Sequence, residues 1–310
     1  MKRYALTLKI PLVIFSLFAL VIILFGWRLS IGPIALDWAG DYLKRALVLN
    51  QKNVSLDFRD AVLIWRKKDG PNYGRTSGLQ VTFYEVEIID QKTDFTLNIP
   101  EAGMRFSGLA MMRGLLAPTD VEIFGLSIDY TLSPDVWTST DNRPFMEKLE
   151  AFVEELQNSE SLPFKIAQEL LSPPKSSVAT GYLGQFSLLG TKITLTDQLS
   201  GQIWQIPEAH LNLRRTSFGL NVRMLGDIHM SQNDIMAIDI SLVFDNARKE
   251  IVTNLHFSEL RPSALVGKVK ALSGLSNLDI PAKGNIDFTI DRDFRIPVMT
   301  FSLSLDEGTI

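Results

Sequence analysis

From Gln51 onward the apolar residues of this chain recur at every second position, in one short segment after another. Val54, Leu56 and Phe58 alternate with Ser55, Asp57 and Arg59. Ile238, Ile240, Leu242 and Phe244 alternate with Asp239, Ser241, Val243 and Asp245. Ile251, Thr253, Leu255 and Phe257 alternate with Val252, Asn254, His256 and Ser258. Side chains on a strand point to opposite faces in turn, so a period of two marks a sheet that is apolar on one side and polar on the other. Further strands are expected over 61–65, 81–89, 95–99 and 121–132, the last with Gly125 as a bulge or bend. Phe186, Leu188, Ile193 and Leu195 mark another, and Ile228 and Met230 are expected to begin one. Ile286, Phe288 and Ile290, then Phe301, Leu303 and Leu305, complete the series. The expected fold is mainly β with short helices, built as a curved, repeat-built antiparallel groove.

The stretches that break this rhythm have helical spacing. Leu36, Ala39, Leu43, Ala46 and Leu47 predict a short amphipathic helix over 36–49, with Asp37 as its N-cap. It is read as packed on the end of the sheet, the alternative being an element that lies against a membrane. Phe145, Leu149, Phe152, Val153 and Leu156, then Ile166, Leu170 and Leu171, predict a helical insert closed by Pro173-Pro174. A further short helix is expected over 262–272.

One repeat stands out. IIDQKTDFTLNIPEA begins at Ile88, and LTDQLSGQIWQIPEA begins at Leu195. Asp90/Asp197, Gln91/Gln198, Ile99/Ile206, Pro100/Pro207, Glu101/Glu208 and Ala102/Ala209 are identical between the two. Each copy reads as a hairpin whose proline interrupts the ladder at a bulge or edge. Recurring hairpins suggest a sheet that lengthens by adding copies. The final LDEGTI lies in what reads as a strand-turn-strand, which suggests a piece of a longer repeat protein.

The other constraint is at the start. Residues 10–27 (IPLVIFSLFALVIILFGW) carry no charge. At 1.5 Å per residue such a run covers about 27 Å, close to the thickness of a bilayer core. It is longer than the apolar core of a cleaved signal, and no small-x-small site follows, so a retained anchor is expected. Lys2, Arg3 and Lys9 precede the run and Arg28 follows it. That bias predicts a single-pass protein with a cytoplasmic N-terminus and the bulk of the chain outside the cytoplasm. The full sequence has 31 Lys and Arg against 35 Asp and Glu, a net charge of −4, which argues against nucleic acid as a partner. It contains no Cys, excluding disulfides, thiolate metal sites and a cysteine nucleophile.

Catalytic motifs are missing: no nucleophile elbow, dinucleotide fingerprint, P-loop or zinc-protease helix occurs. His210, His229 and His256 are far apart in strand-like contexts and are read as ordinary sheet positions. Asp57 with Asp60, Glu85 with Glu87, and Glu154 with Glu155 are read as solvated surface pairs. Glu101 and Glu208 recur with the repeat and are assigned a structural role. No catalytic residue, metal or cofactor is expected, and the chain is not expected to be an enzyme.

The segments order as a cytoplasmic start (1–9), an anchor (10–27), a first β block with its amphipathic helix (28–134), a helical insert (135–175) and a second β block (176–310). The anchor followed by Ser30-Ile31-Gly32-Pro33-Ile34, the Pro-Glu-Ala hairpins, Phe257-Ser258-Glu259-Leu260-Arg261-Pro262, Leu278-Asp279-Ile280-Pro281 and the closing Phe301-Ser302-Leu303-Ser304-Leu305 resemble AsmA-like bacterial envelope proteins of the YhdP type, the group carrying a DUF3971 region. The resemblance covers essentially the whole chain. It implies an inner-membrane anchor, a periplasmic hydrophobic β-groove and movement of phospholipid toward the outer membrane. Such bridges are usually several times longer than 310 residues. The expected function is therefore the membrane-proximal part of a phospholipid-transfer conduit. The alternative is a non-transporting envelope scaffold or assembly factor that binds other envelope proteins. Ile238, Ile240, Leu242, Phe244, Leu255, Phe257, Ile286, Phe288 and Ile290 are the candidate lining of the groove, with phospholipid acyl chains as its ligand and other inner-membrane proteins as possible partners.

Overall fold

A computed structural model describes residues 2–47, 54–66, 78–91, 95–132, 177–197, 202–230, 234–261, 280–291 and 295–305. Helix α1 (Lys2–Ile31) leads to strand β1 (Ile34–Ala35), a 3-10 turn (Asp37–Ala39) and helix α2 (Gly40–Leu47). Strands β2 (Val54–Asp57), β3 (Asp60–Arg66), β4 (Gly78–Asp90) and β5 (Phe95–Phe106) follow. After helix α3 (Gly108–Met111) come β6 (Pro118–Phe124) and β7 (Ser127–Leu132), and later a 3-10 turn (Ala179–Tyr182). The second half is β8 (Gln185–Asp197), β9 (Gln202–Arg215), β10 (Gly219–His229), β11 (Ile235–Asp245), β12 (Glu250–Leu260), β13 (Ala282–Ile290) and β14 (Val298–Leu305).

All fourteen strands belong to one long, open sheet, in the order β1-β3-β4-β5-β6-β8-β9-β10-β11-β12-β13-β14. β2 pairs with β4 beyond the end of β3, and β7 pairs with β8 in line with β6. Every pairing is antiparallel except those of β6 and β7 with β8, which are parallel. From β8 onward each strand pairs with the next in the chain, a simple meander. At roughly 4.8 Å per strand the twelve-strand path measures about 53 Å.

Three expectations are corrected. Ile228 does not begin a strand: it lies near the end of β10, which starts at Gly219. Leu220, Val222 and Met224 supply the alternation there, after the Thr216–Gly219 turn. The amphipathic helix is shorter than 36–49, because Asp37 opens a 3-10 turn and α2 proper starts at Gly40. No side-chain cap holds that turn. The prolines interrupt their ladders as expected, but neither ends its strand: Pro100 lies inside β5 and Pro207 inside β9. The helices expected over 145–171 and 262–272 lie outside the described residues.

The prolines sit on a crease that crosses several strands. In the β4–β5 ladder Tyr84 pairs with Glu101 and Val86 with Ile99, while Glu85 and Pro100 between them are skipped. Proline has no N–H to donate, so a skipped position suits it. Glu85 itself has φ 51°. On the other side of Pro100 lies Gly125, φ 67°, and at the same level across the parallel pairing lies Gly190, φ 60°. Further along, register slips between Leu225 and His229 and between Phe257 and Leu260, where Glu259 has φ 60°. At the crease the strict alternation of faces lapses. Phe83 and Val86, Ile99 and Ala102, and Ile123 and Leu126 are each three apart, yet all six join one apolar cluster. Ile206 and Ala209 repeat the spacing and are also buried. The repeated Ile-Pro-Glu-Ala is the sequence form of this change of phase.

The cluster is the packed core, and it occupies the first half of the sheet. Phe83 is 1% exposed, and Ala61, Val81, Ala102 and Ile123 lie beside it. Leu43 of α2 and Phe58, from the β2–β3 turn, cover it from one side. Phe58 and Phe83 meet edge to face at 5.0 Å, a favourable aromatic geometry. Lys44 ion-pairs with Asp57 and lies 5.1 Å over the Phe58 ring, tying α2 to β2. This attachment and the Phe58 N–H hold the Asp57 carboxyl below its usual range, the Lys44 hydrogen bond first. Substantial helix-to-strand packing among the described residues lies against β2, β3 and β6. The second half of the sheet has no such cover among them.

Candidate apolar face

The registers place apolar side chains opposite one another across the whole sheet. One row reads Ala61, Phe83, Ala102, Ile123, Leu188, Leu211, Met224, Ile240, Leu255, Ile286 and Phe301. It crosses eleven strands without a polar residue. The neighbouring row reads Ile34, Leu63, Val81, Met104, Val121, Phe186, Leu213, Val222, Leu242, Thr253, Phe288 and Met299. Thr253 is its single polar member. Both rows run across the strands, along the long axis of the sheet.

Five of the nine candidate lining residues fall on these rows and the other four directly beside them. Ile240 pairs with Leu255, and Leu255 with Ile286; Ile238 pairs with Phe257. Phe288 lies opposite Thr253, and Leu242 opposite the same threonine from the other side. Phe244 and Ile290 meet across Ile251, on the level beside Leu242 and Phe288. Ile238 and Phe257 are buried and the other seven half-buried. Phe257 is buried because its ring fills the space over Gly284, where an added Cβ would come within 2.7 Å of Cζ. Leu211, Leu213, Leu220, Val222, Met224 and Met299 belong to the same face and were not singled out by sequence. Their alternation was readable, but Arg214, Arg215 and Arg223 diluted it.

Exposure changes steadily along the face. The first half is the sealed core. Over β10 to β13 the side chains are mostly half-buried, and on β14 Met299, Phe301 and Leu303 are exposed, Met299 at 61%. These residues were kept apolar by sequence although no described element covers them.

The opposite face is polar in matching rows: Thr82, Gly103, Glu122, Ser187, Asn212, Arg223, Ser241, Asn254, Asp287 and Thr300 lie side by side. Asn212 donates to Ser187 Oγ at 2.9 Å, Arg223 forks onto Asp239 at 2.7 and 3.1 Å, and Arg105 meets Asp120 at 2.6 Å. Glu101 ion-pairs with Arg66, whereas its repeat partner Glu208 reaches His210 Nε2 at 3.3 Å. The first half of this polar face is itself buried: Gln80, Thr82, Glu122 and Ser187 are all below 3% exposed.

An open depression of about 400 Å³ lies on the crease. His210 and His256 both line it, with Glu208, Asp227 and Asp239. His210 Nδ1 accepts from the Gly190 N–H, and His256 Nδ1 lies 2.6 Å from Asn285 Oδ1. His229 lies apart at the end of β10. Among the described residues no set of three or more His, Asp or Glu is arranged to hold a metal ion.

Neither family models nor curated proteins nor solved structures give a match to this chain.

The uncharged run 10–27 falls inside α1, which extends beyond it at both ends. Among the described residues no helix is long and apolar enough to cross a membrane. Most of the described side chains of α1 are nevertheless apolar and exposed. Phe15, Leu17, Leu20, Val21, Ile23, Leu24, Phe25 and Trp27 are all open, and at 100° per residue they point to every side of the helix. Its last turn meets the sheet, where Leu29 is buried and α1 packs on β3.

Proposed function

We propose that this chain is a membrane-anchored envelope protein of AsmA-like type whose open apolar face holds phospholipid acyl chains, as the membrane-proximal part of a lipid-transfer conduit. The observation that carries the proposal is the unbroken apolar row from Ala61 to Phe301, packed shut at one end and open at the other. A helix with apolar side chains exposed all round belongs in a protein core or in lipid, and among the described residues α1 has no buried side chain but Leu29 in its last turn. Lipid is therefore the surrounding that satisfies it. In this reading the N-terminus is cytoplasmic, the sheet is periplasmic, and no group acts catalytically: the face works by excluding water from acyl chains.

The sealed half favours a second reading. Leu43 and Phe58 close the apolar face beside α1, so a lipid could not run unhindered from the membrane end along the whole sheet. In a scaffold that binds other envelope proteins, the open half would be a protein-docking surface. Native mass spectrometry of the full chain, extracted in mild detergent, separates the two. The lipid reading expects bound phospholipid; a lipid-free protein would refute it in favour of the scaffold.

A further inference from the structure

The segment that closes the core has a second face. Leu36 and Ala39 pack against the core and Leu43 is buried in it. Asp41 and Tyr42 lie three and four residues after Trp38, and Arg45 four and three after them, which places the four together on the other side of the 3-10 turn and α2. Trp38 is 85% exposed, the most exposed large apolar side chain among the described residues, and Tyr42 is 59% exposed. A lone exposed aromatic needs no explanation, but here two share a face immediately after α1. The end of that helix adds exposed Trp27 and Ile31. Between Ile31 and Trp38 the chain makes only a short link, held by β1 on β3 and by the Leu36 N–H on the Ala61 carbonyl.

We infer that Trp38 and Tyr42 form an interfacial face that lies in the headgroup layer of the bilayer that α1 enters. Indole and phenol rings combine an apolar body with a polar tip and collect at that depth. Charge does not drive the contact. Asp41 and Arg45 offset each other on this face, and Lys44 is turned inward to Asp57. The membrane would thus hold α2 against the sheet and keep Leu43 over the closed end of the apolar face. The inference rests on the reading of α1 as a membrane anchor.

The chain has no cysteine, so Asp41→Cys gives the full-length protein a single site for an environment-sensitive fluorophore. Phe15→Cys on α1 and Val243→Cys on the polar face of β11 serve as references. The protein is reconstituted in phosphatidylcholine vesicles containing lipids nitroxide-labelled either in the headgroup or deep in the acyl chain. The expected result is loss of most of the position-41 signal with the headgroup nitroxide, loss at position 15 with the deep nitroxide, and none at 243. Adding Trp38→Ser and Tyr42→Ser should restore the position-41 signal without lowering the melting temperature, since both side chains are exposed. Quenching at 15 but not at 41 overturns the interfacial face and leaves the anchor standing. No quenching at 15 overturns the anchor reading itself. Quenching at 41 that needs phosphatidylglycerol in the vesicle overturns the aromatic basis of the contact.

Discussion

Ile240→Asp tests the open face. A fully buried isoleucine contributes about 1.5–3 kcal/mol. Ile240 is half-buried between Met224 and Leu255, so the area lost amounts to roughly 1 kcal/mol, and placing Asp in a strand adds up to about 1 more. The total, about 2 kcal/mol, is smaller than the ~5–15 kcal/mol that keeps a typical domain folded. On an uncovered face the new carboxylate reaches water, so the larger cost of a buried, unpaired charge does not arise. Phe83→Ala is the contrast. It empties a site that is 1% exposed and should cost about 3–5 kcal/mol. Thermal unfolding and co-purifying phospholipid are measured together on both variants and the parent. We predict a folded Ile240→Asp protein with most of its lipid gone, and a Phe83→Ala protein with a much lower melting point. Unfolding of Ile240→Asp would mean that the second half is a sealed core. A folded variant that retains all its lipid would remove this face from the binding site.

Three further outcomes are expected. A Cβ on Gly103 would lie 1.4 Å from Gln80 Nε2, and Gln80 is buried beside Glu122 Oε2 at 3.5 Å; Gly103→Ala should therefore destabilise by about 1–3 kcal/mol in denaturant unfolding, and Gln80→Ala in the same chain should recover part of the loss. Asp57 has its pKa lowered by Lys44 and the Phe58 N–H, so its contribution is present above the ordinary carboxylate range and is lost as pH falls through its own lowered value; hydrogen exchange of α2 should accelerate there, and an unchanged acid response in Asp57→Asn would refute the assignment. A reporter active only outside the cytoplasm, fused after Tyr182, should be active in a protein that stays with membranes, whereas a soluble chain beginning near Leu29 would show that the N-terminal segment is cleaved.

The parts of the fold that were legible in sequence are those fixed locally. Ile238 to Phe244 and Ile251 to Phe257 form strands because alternation against polar neighbours allows one face to be buried, and their pairing follows from the tight Asp245–Glu250 turn. The repeated hairpins were visible, and so was the break that their prolines make in the ladder; that the strand continues past it was not. A proline inside a strand was expected to interrupt it; here the interruption is shared with Glu85 across the ladder, and the strand runs on. That compensation lies on a different strand. The parallel pairing of β6 and β7 with β8 was likewise hidden, because it depends on the path by which the chain returns after residue 132. Least legible was the difference between the two halves of the apolar face. Phe83 and Phe288 occupy similar alternating patterns, and only the placement of Leu43 and Phe58 makes one a core residue and leaves the other open.

The crease bears on how such a sequence can change. On either side of it a strand carries two panels of opposite phase, joined at Glu85, Pro100, Gly125 or Gly190. Within a plain strand, losing one residue turns every following side chain to the wrong face. At the crease the same loss erases the change of phase, so the shift is confined to one panel: with Glu85 lost, Glu87 and Ile89 would take the places of Val86 and Ile88. Neighbouring strands stay compatible only while their phase changes remain level with one another. Length variation should therefore enter this sheet as whole hairpins that bring their own Ile-Pro-Glu-Ala, or as residues in the turns, and single-residue gaps inside strands should be rare among any relatives.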